Sequence, residues 1–165
     1  MFKINEFVIY NSLGVYKVVD IRSEMDISNN ETEYYILQPA YGNNITIKTP
    51  VNSNPKRLMR QVLSKDAALS LIESIPGKET TWIKDDKQRN LSFKAALRTG
   101  ESEQWVRLVK AIYLEQQQKA SIGKKLNRAD EDIMKAAEKV LNEEFAVALN
   151  ITPDEVVTLI SKQVS

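Results

Sequence analysis

The spacing of apolar residues changes near residue 64, and this change limits the possible fold more than any other feature of the chain. Before residue 64, β-branched and aromatic residues occur in short runs, as they do in strands. After it, apolar residues recur every three or four positions, which is the period of a helix. The sequence therefore predicts an α+β protein in two parts, a domain at residues 1–63 and an all-helical domain at residues 64–165.

The N-terminal part contains five candidate strands joined by polar turns. Segments 11–14 and 41–44 are turn signals, because their Asn and Gly residues tolerate positive φ. Five short strands in about 60 residues predict a small antiparallel β-barrel of the Tudor or SH3 type. The predicted strands are Phe7–Tyr10, Val15–Ile21, Glu33–Gln38, Ile45–Pro50 and Arg57–Leu63.

The C-terminal part contains five candidate helices, two of which have clear start signals. Ser64 is a suitable N-cap for the first helix. Thr152 and Pro153 provide an N-cap and a first-turn proline for the last. The predicted helices begin at Ser64, Trp82, Ser102, Asn127 and Thr152, and the first four end at Ser74, Arg98, Lys119 and Leu149.

The composition excludes most enzymatic chemistry. The chain has no Cys and no His, which removes thiol nucleophiles, imidazole acid–base chemistry and nearly every zinc site. It also lacks a glycine-rich phosphate loop. We therefore expect no enzymatic activity, no metal and no cofactor.

The N-terminus is interrupted by charge and does not form a signal peptide. No apolar run approaches the roughly 20 residues that span a membrane. We therefore expect a cytoplasmic protein without membrane contact.

The net charge of +1 conceals an uneven distribution. Residues 51–100 contain 10 Lys or Arg against 5 Asp or Glu, a net charge of +5. Residues 1–50 and residues 101–165 each have a net charge of −2. This local excess of positive charge is compatible with an anionic partner such as nucleic acid.

Trp82 and the cations that follow it are the main candidate site in this basic third. Lys87, Lys94 and Arg98 share one helical face at spacings of seven and four residues, and Lys84 lies nearby. The residues leave two interpretations open. Trp82 is either a core side chain or an apolar wedge that engages a distorted duplex beside the cations. The cations form either a solvated face or a binding site for an anionic partner.

Two further features of the helical part require interpretation. Lys124 and Lys125 lie in a basic segment that leads into a helix, where backbone N–H groups can also meet phosphate. Trp105 is flanked at helical spacing by Leu108 and Ile112, which predicts a core position.

The order and spacing of these motifs resemble the CarD/CdnL family of bacterial transcription regulators, whose N-terminal module is shared with transcription-repair coupling factors. The resemblance covers nearly the whole chain. It is carried by Phe7–Tyr10, Gly14–Val15, Glu33–Leu37, Ile45–Pro50, Trp82, Lys84, Lys87, Asn90, Gly100–Glu101, Leu108–Gln116 and Ser121–Lys125.

The resemblance implies that a Tudor-like module binds the β subunit of RNA polymerase, while the helical module contacts promoter DNA at the upstream edge of the bubble and stabilises the open complex. Trp82 matches the family's tryptophan at the minor groove. The DNA-binding candidates are Trp82, Lys84, Lys87, Arg89, Lys94, Arg98, Lys124 and Lys125. The polymerase-binding candidates are Lys48, Arg22 and Ile47.

Asp85 and Asp86 dilute the positive charge after Trp82, so we expect DNA contact to depend on tethering to polymerase. Contact with backbone and groove width carries little sequence information, so we expect action at many promoters. We also expect the protein to be a monomer. The alternative is a protein–protein adaptor whose helical module does not touch DNA.

Overall fold

A computed structural model of the chain describes residues 1–42, 44–52 and 59–164. The chain divides into two compact units, residues 1–62 and residues 63–165. The described strands lie in the first unit and the described helices in the second. The predicted α+β fold in two parts is therefore confirmed.

The N-terminal unit contains one antiparallel sheet. Its described strands are β1 (Phe7–Tyr10), β2 (Gly14–Met25), β3 (Glu31–Pro39), β4 (Ile47–Pro50) and β5 (Met59–Gln61). Their spatial order is β4-β3-β2-β1-β5. The register of β2 against β3 shifts between Val18 and Asp20, and such an irregularity bends a strand. Closure into a Tudor-type barrel stays a prediction.

The strand boundaries differ from the prediction mainly in β2 and β4. β2 continues beyond Ile21 to Met25, and β4 begins at Ile47 instead of Ile45. Within the turn predicted at 41–44, Gly42 has a φ of 93°, while Asn43 lies outside the described residues. Arg57 and Leu58 of the predicted fifth strand also lie outside them.

Side chains from the strands enclose an apolar core in this unit. Alternate residues of a strand point to opposite faces of a sheet, and the members of this core cluster lie on one face. Partly buried side chains, Phe2 and Ile47 among them, pack around it. The buried members of this core cluster are Val8, Val18, Tyr35, Leu37 and Met59.

The second unit contains five described α-helices. They are α1 (Lys65–Ser74), α2 (Asp86–Arg98), α3 (Ser102–Ser121), α4 (Arg128–Leu149) and α5 (Pro153–Val164). The predicted N-caps are present: Ser64 Oγ accepts from the N–H of Ala67 at 3.1 Å, and Thr152 Oγ1 accepts from the N–H of Glu155 at 3.2 Å. Local capping chemistry therefore determines where these helices begin.

One predicted helix start is wrong. α2 begins at Asp86, whereas the sequence pattern placed the start at Trp82. Asp85 is the N-cap, since its Oδ2 accepts from the N–H of Gln88 at 2.8 Å and its backbone is extended. Trp82 thus lies in a non-helical segment that precedes α2.

The helices pack around an apolar cluster to which α2, α3 and α4 contribute. Trp82 and Leu126 pack against this cluster as partly buried side chains. The buried members of the cluster are Phe93, Leu108, Ile112, Ile133 and Ala137.

Trp105 has the core position predicted for it. Its side chain is fully buried, and its Nε1–H donates to the carbonyl of Leu97 at 2.9 Å. That carbonyl lies in the last turn of α2, where helix carbonyls lack partners within the helix.

Candidate functional site

Trp82 is held between an aromatic ring and a guanidinium group. Its ring packs edge-to-face on Phe93, with ring centroids 5.8 Å apart. The Cζ atom of Arg89 lies 4.4 Å from the Trp82 ring centroid, within the range of a cation–π contact. The tryptophan is therefore partly buried, which leaves both interpretations of the sequence open.

Arg89 is part of the protein interior. It is 3% exposed, and its Nε and Nη2 atoms donate to the two carboxylate oxygens of Asp130 at 3.0 and 2.8 Å. Nη2 also donates to Asp86 at 2.7 Å. Nη1 donates to the carbonyl of Ile83 at 2.9 Å and to that of Lys84 at 3.4 Å. All five guanidinium N–H groups thus have acceptors.

These contacts change the role of Arg89. The sequence prediction grouped it with the DNA-binding cations, but its donors are already occupied inside the protein. The hydrogen bond with Asp130 raises the pKa of Arg89, so the buried group stays charged. Its partner Asp130, 1% exposed, was not a predicted site residue. Arg89 is therefore suited to orient the Trp82 segment, not to meet a ligand.

The outer face of α2 presents the other predicted cations of this segment. Lys87, Lys94 and Arg98 are exposed, and within the described part of the chain no ion pair involves any of them. Leu91 lies between Lys87 and Lys94 at helical spacing and is 61% exposed. The sequence reasoning missed this apolar residue in the basic strip.

The acids beside Trp82 have structural roles. Asp85 caps α2, and Asp86 pairs with Arg89. The sequence contained a signal for this, because an Asp three residues before a Gln resembles a capping box. The exposed carboxylates of Asp85 and Asp86 nevertheless offset the charges of Lys84 and Lys87 in the segment next to Trp82.

Lys124 and Lys125 are exposed in the connection between α3 and α4. The following residue, Leu126, packs against the same apolar cluster as Trp82. Asn127 then caps α4, and its Oδ1 accepts from the N–H of Asp130 at 2.9 Å. The Arg89–Asp130 pair therefore joins the segment before α2 to the start of α4.

In the N-terminal unit, Lys48 and Arg22 belong to one ionic surface of the sheet. Lys48 Nζ lies 2.5 Å from Glu24 Oε2 and 4.7 Å from the ring centroid of Tyr34. Arg22 Nε lies 2.7 Å from Asp20 Oδ2. The hydrogen bond with Glu24 raises the pKa of Lys48, and the one with Arg22 lowers the pKa of Asp20. Both pairs are solvent-exposed and available to a partner.

Ile47 differs from its neighbour Lys48. It packs against the apolar core cluster, whereas Lys48 is exposed. Consecutive residues of a strand point to opposite faces, so the sequence already implied this difference. Ile47 therefore lies on the core side of β4, and its predicted contact with polymerase stays a prediction.

Metal and membrane sites are the remaining kinds of candidate site. Within residues 1–42, 44–52 and 59–164, no cluster of three acidic, His or Cys side chains could hold a metal ion. No helix of the described chain is both long enough and apolar enough to cross a membrane.

Comparison with protein families identifies the N-terminal unit. Residues 2–63 match the family described as CarD-like/TRCF RID domain. A domain of this family suggests a transcription-related protein that interacts with RNA polymerase. Over this domain, the chain is similar to the CarD-like family. The match does not extend into the helical unit, and no curated protein matches the chain.

Proposed function

We propose that this protein is a non-enzymatic transcription regulator that binds the β subunit of RNA polymerase and stabilises the open promoter complex through its helical unit. The CarD-like domain at residues 2–63 supports the polymerase part. The observation that carries the DNA part is Trp82, a partly buried ring held in a non-helical segment by Arg89 and Phe93.

The surroundings of Trp82 support contact with a distorted duplex. An apolar ring beside cations can enter the minor groove at an opened step, while the cations meet the phosphates on either side. Lys84, Lys87, Lys94 and Arg98 would supply phosphate contacts on the α2 side. Lys124 and Lys125 would supply them from the α3–α4 connection.

Affinity for free DNA should be low. A few phosphate contacts give weak, salt-sensitive binding, and Asp86 reduces the potential near the ring. Binding to polymerase raises the effective concentration of promoter DNA and makes a weak contact productive. The protein would therefore act on DNA only when it is bound to polymerase, and at many promoters. We further propose that it acts in the cytoplasm as a monomer.

The lifetime of the open complex tests the DNA part. Full-length protein is added to polymerase and promoter DNA, and decay is followed after a competitor challenge. Trp82→Ala should bring the lifetime close to that without the protein, because the wedge is removed, and Trp82→Phe should lie between. Leu69→Ala removes an exposed apolar side chain from α1 and serves as the control. A wild-type lifetime with folded Trp82→Ala would exclude the wedge role.

A charge exchange tests the polymerase part. Lys48→Glu should weaken capture of the β subunit, and adding Glu24→Lys restores the ion pair with its charges exchanged. Since exposed ion pairs contribute little to stability, the sheet should remain folded in both variants. If Lys48 meets polymerase, the exchanged protein still binds poorly. Normal binding by the exchanged protein would remove Lys48 from the interface.

The second candidate function is a protein–protein adaptor that does not touch DNA. Leu91 favours it, because an exposed apolar side chain between cations also suits a protein partner that carries acidic residues. Cross-linking from α2 within the promoter complex separates the two functions, since the adaptor gives no DNA adduct there.

A further inference from the structure

The Trp82 segment has no secondary structure of its own, yet its backbone is anchored. The carbonyls of Ile83 and Lys84 both accept hydrogen bonds from Arg89 Nη1. The same guanidinium lies against the Trp82 ring. A single buried side chain thus contacts both the backbone and the ring of the segment.

The other end of this contact lies on α4. Asp130 is in the first turn of that helix, and both of its carboxylate oxygens accept from Arg89. Its N–H is bound by the N-cap, Asn127. Leu126, between this cap and Lys125, shares an apolar cluster with Trp82. The tryptophan is therefore linked to the start of α4 in two ways, through the Arg89–Asp130 pair and through the shared apolar cluster.

The chemistry at this position requires arginine. Lysine has three donors on a point charge, so it cannot form the two-pronged contact with Asp130 while also reaching both carbonyls and covering the ring. Buried ion pairs often add little net stability compared with an apolar replacement. We interpret the arrangement as one that specifies geometry.

We propose that Arg89 is a positioning residue that holds Trp82 and the Lys124–Lys125 connection as one rigid surface, so that the ring and these cations meet promoter DNA together. The part of this inference that concerns contact with promoter DNA rests on the proposed function. The positioning itself concerns the free protein and can be measured without DNA.

Fluorine NMR tests the positioning. Full-length protein labelled with 5-fluorotryptophan gives one resonance for each of its two tryptophans. Arg89→Lys should move the Trp82 resonance toward its position in unfolded protein and leave that of Trp105 in place. Asp130→Asn, nearly identical in size to the native residue, should act in the same direction. Arg107→Lys, at an arginine whose side chain is 41% exposed, should move neither resonance.

The outcomes distinguish positioning from general stability. If both tryptophan resonances move together in Arg89→Lys and Asp130→Asn, Arg89 is merely structural and the proposal is overturned. If neither moves in either variant, the ring is positioned without the pair and the proposal is also overturned.

Open-complex lifetime then tests the consequence. Arg89→Lys should shorten the lifetime at least halfway to that of Trp82→Ala. The loss from Lys124→Gln with Lys125→Gln should be smaller in the Arg89→Lys protein than in wild type, because the two contacts act together. Independent, multiplicative losses would overturn the single-surface proposal. A wild-type lifetime for Trp82→Ala would instead reject the proposed function, and the NMR result would still decide the role of Arg89.

Discussion

The two tryptophans of the helical unit have opposite kinds of surroundings. Trp105 is fully buried on α3, and its indole N–H bonds to a helix carbonyl. Trp82 is partly buried in a segment without regular structure, between Phe93 and a buried guanidinium. The first residue satisfies its apolar and polar groups inside the fold. The second is held near the surface by the guanidinium of Arg89, which is itself buried in an ion pair with Asp130.

We interpret this difference as one between a residue that stabilises the fold, Trp105, and a residue that the fold holds at its surface for contact with a partner, Trp82. Removing charged groups from water is costly, and an apolar pocket would hold a tryptophan without that cost. The Arg89–Asp130 pair instead sets the orientation of a side chain that packs only partly. We interpret this as the geometry of a contact surface.

The largest effect we expect is on stability. Trp105→Ala should lower the free energy of unfolding by about 3 to 5 kcal/mol, since it leaves a large cavity. Trp82→Ala should cost about 1 to 2 kcal/mol, because less of its ring is packed. Urea unfolding followed by circular dichroism measures both. Equal losses of unfolding free energy would show that Trp82 is an ordinary core residue and would contradict the proposed difference between the two tryptophans.

The next prediction concerns the cations on the Trp82 side. Replacing Lys87, Lys94 and Arg98 together with Gln preserves the helix while removing three charges. The salt dependence of open-complex lifetime should become shallower, by up to about 0.9 in logarithmic slope for each phosphate that the variant no longer neutralises. Lys162→Gln, at an exposed position of α5, is the control and should leave the slope unchanged. An unaltered slope in the triple variant would show that these three cations are solvated and do not contact DNA phosphates.

The smallest predicted effect concerns a carboxylate near α3, the helix that carries Trp105. Glu138 lines a cavity with Val109 and Leu141, and burial raises its pKa above the ordinary 4.5. The folded state therefore binds this proton more tightly than the unfolded state, so stability falls as the pH rises from 4.5 through the raised pKa. Glu138→Gln should slightly raise the urea midpoint at pH 7 and have less effect at pH 3.5. Exposed Glu73→Gln is the control, and an equal gain from Glu138→Gln at both pH values would contradict burial as the cause.

The sequence predicts much of the fold because its signals are local. The caps at Ser64 and Thr152 each bond a backbone N–H three residues further on, so both ends of the signal lie within one turn. The start of α2 was misplaced although Asp85 offered the same kind of signal. The apolar Trp82 and Ile83 extended the helical pattern, and the extended backbone at Asp85 interrupts it.

The candidate site could be predicted only in part. The exposed cations of α2 follow from helical spacing alone. The burial of Arg89 depends on Asp130, 41 residues further along the chain, and spacing cannot identify such a partner. The core position of Ile47 could have been predicted from the sequence, since alternate residues of a strand face opposite sides and Lys48 is its neighbour.

Site-specific cross-linking in the assembled promoter complex tests the central claim most directly. A photoreactive amino acid is placed at Lys87 in the full chain, with Lys162 as the matched control position. The account predicts a DNA adduct from position 87 at the upstream edge of the bubble and none from position 162. Absence of a DNA adduct at position 87, in a complex where position 48 cross-links to the β subunit, would contradict DNA contact and favour the adaptor.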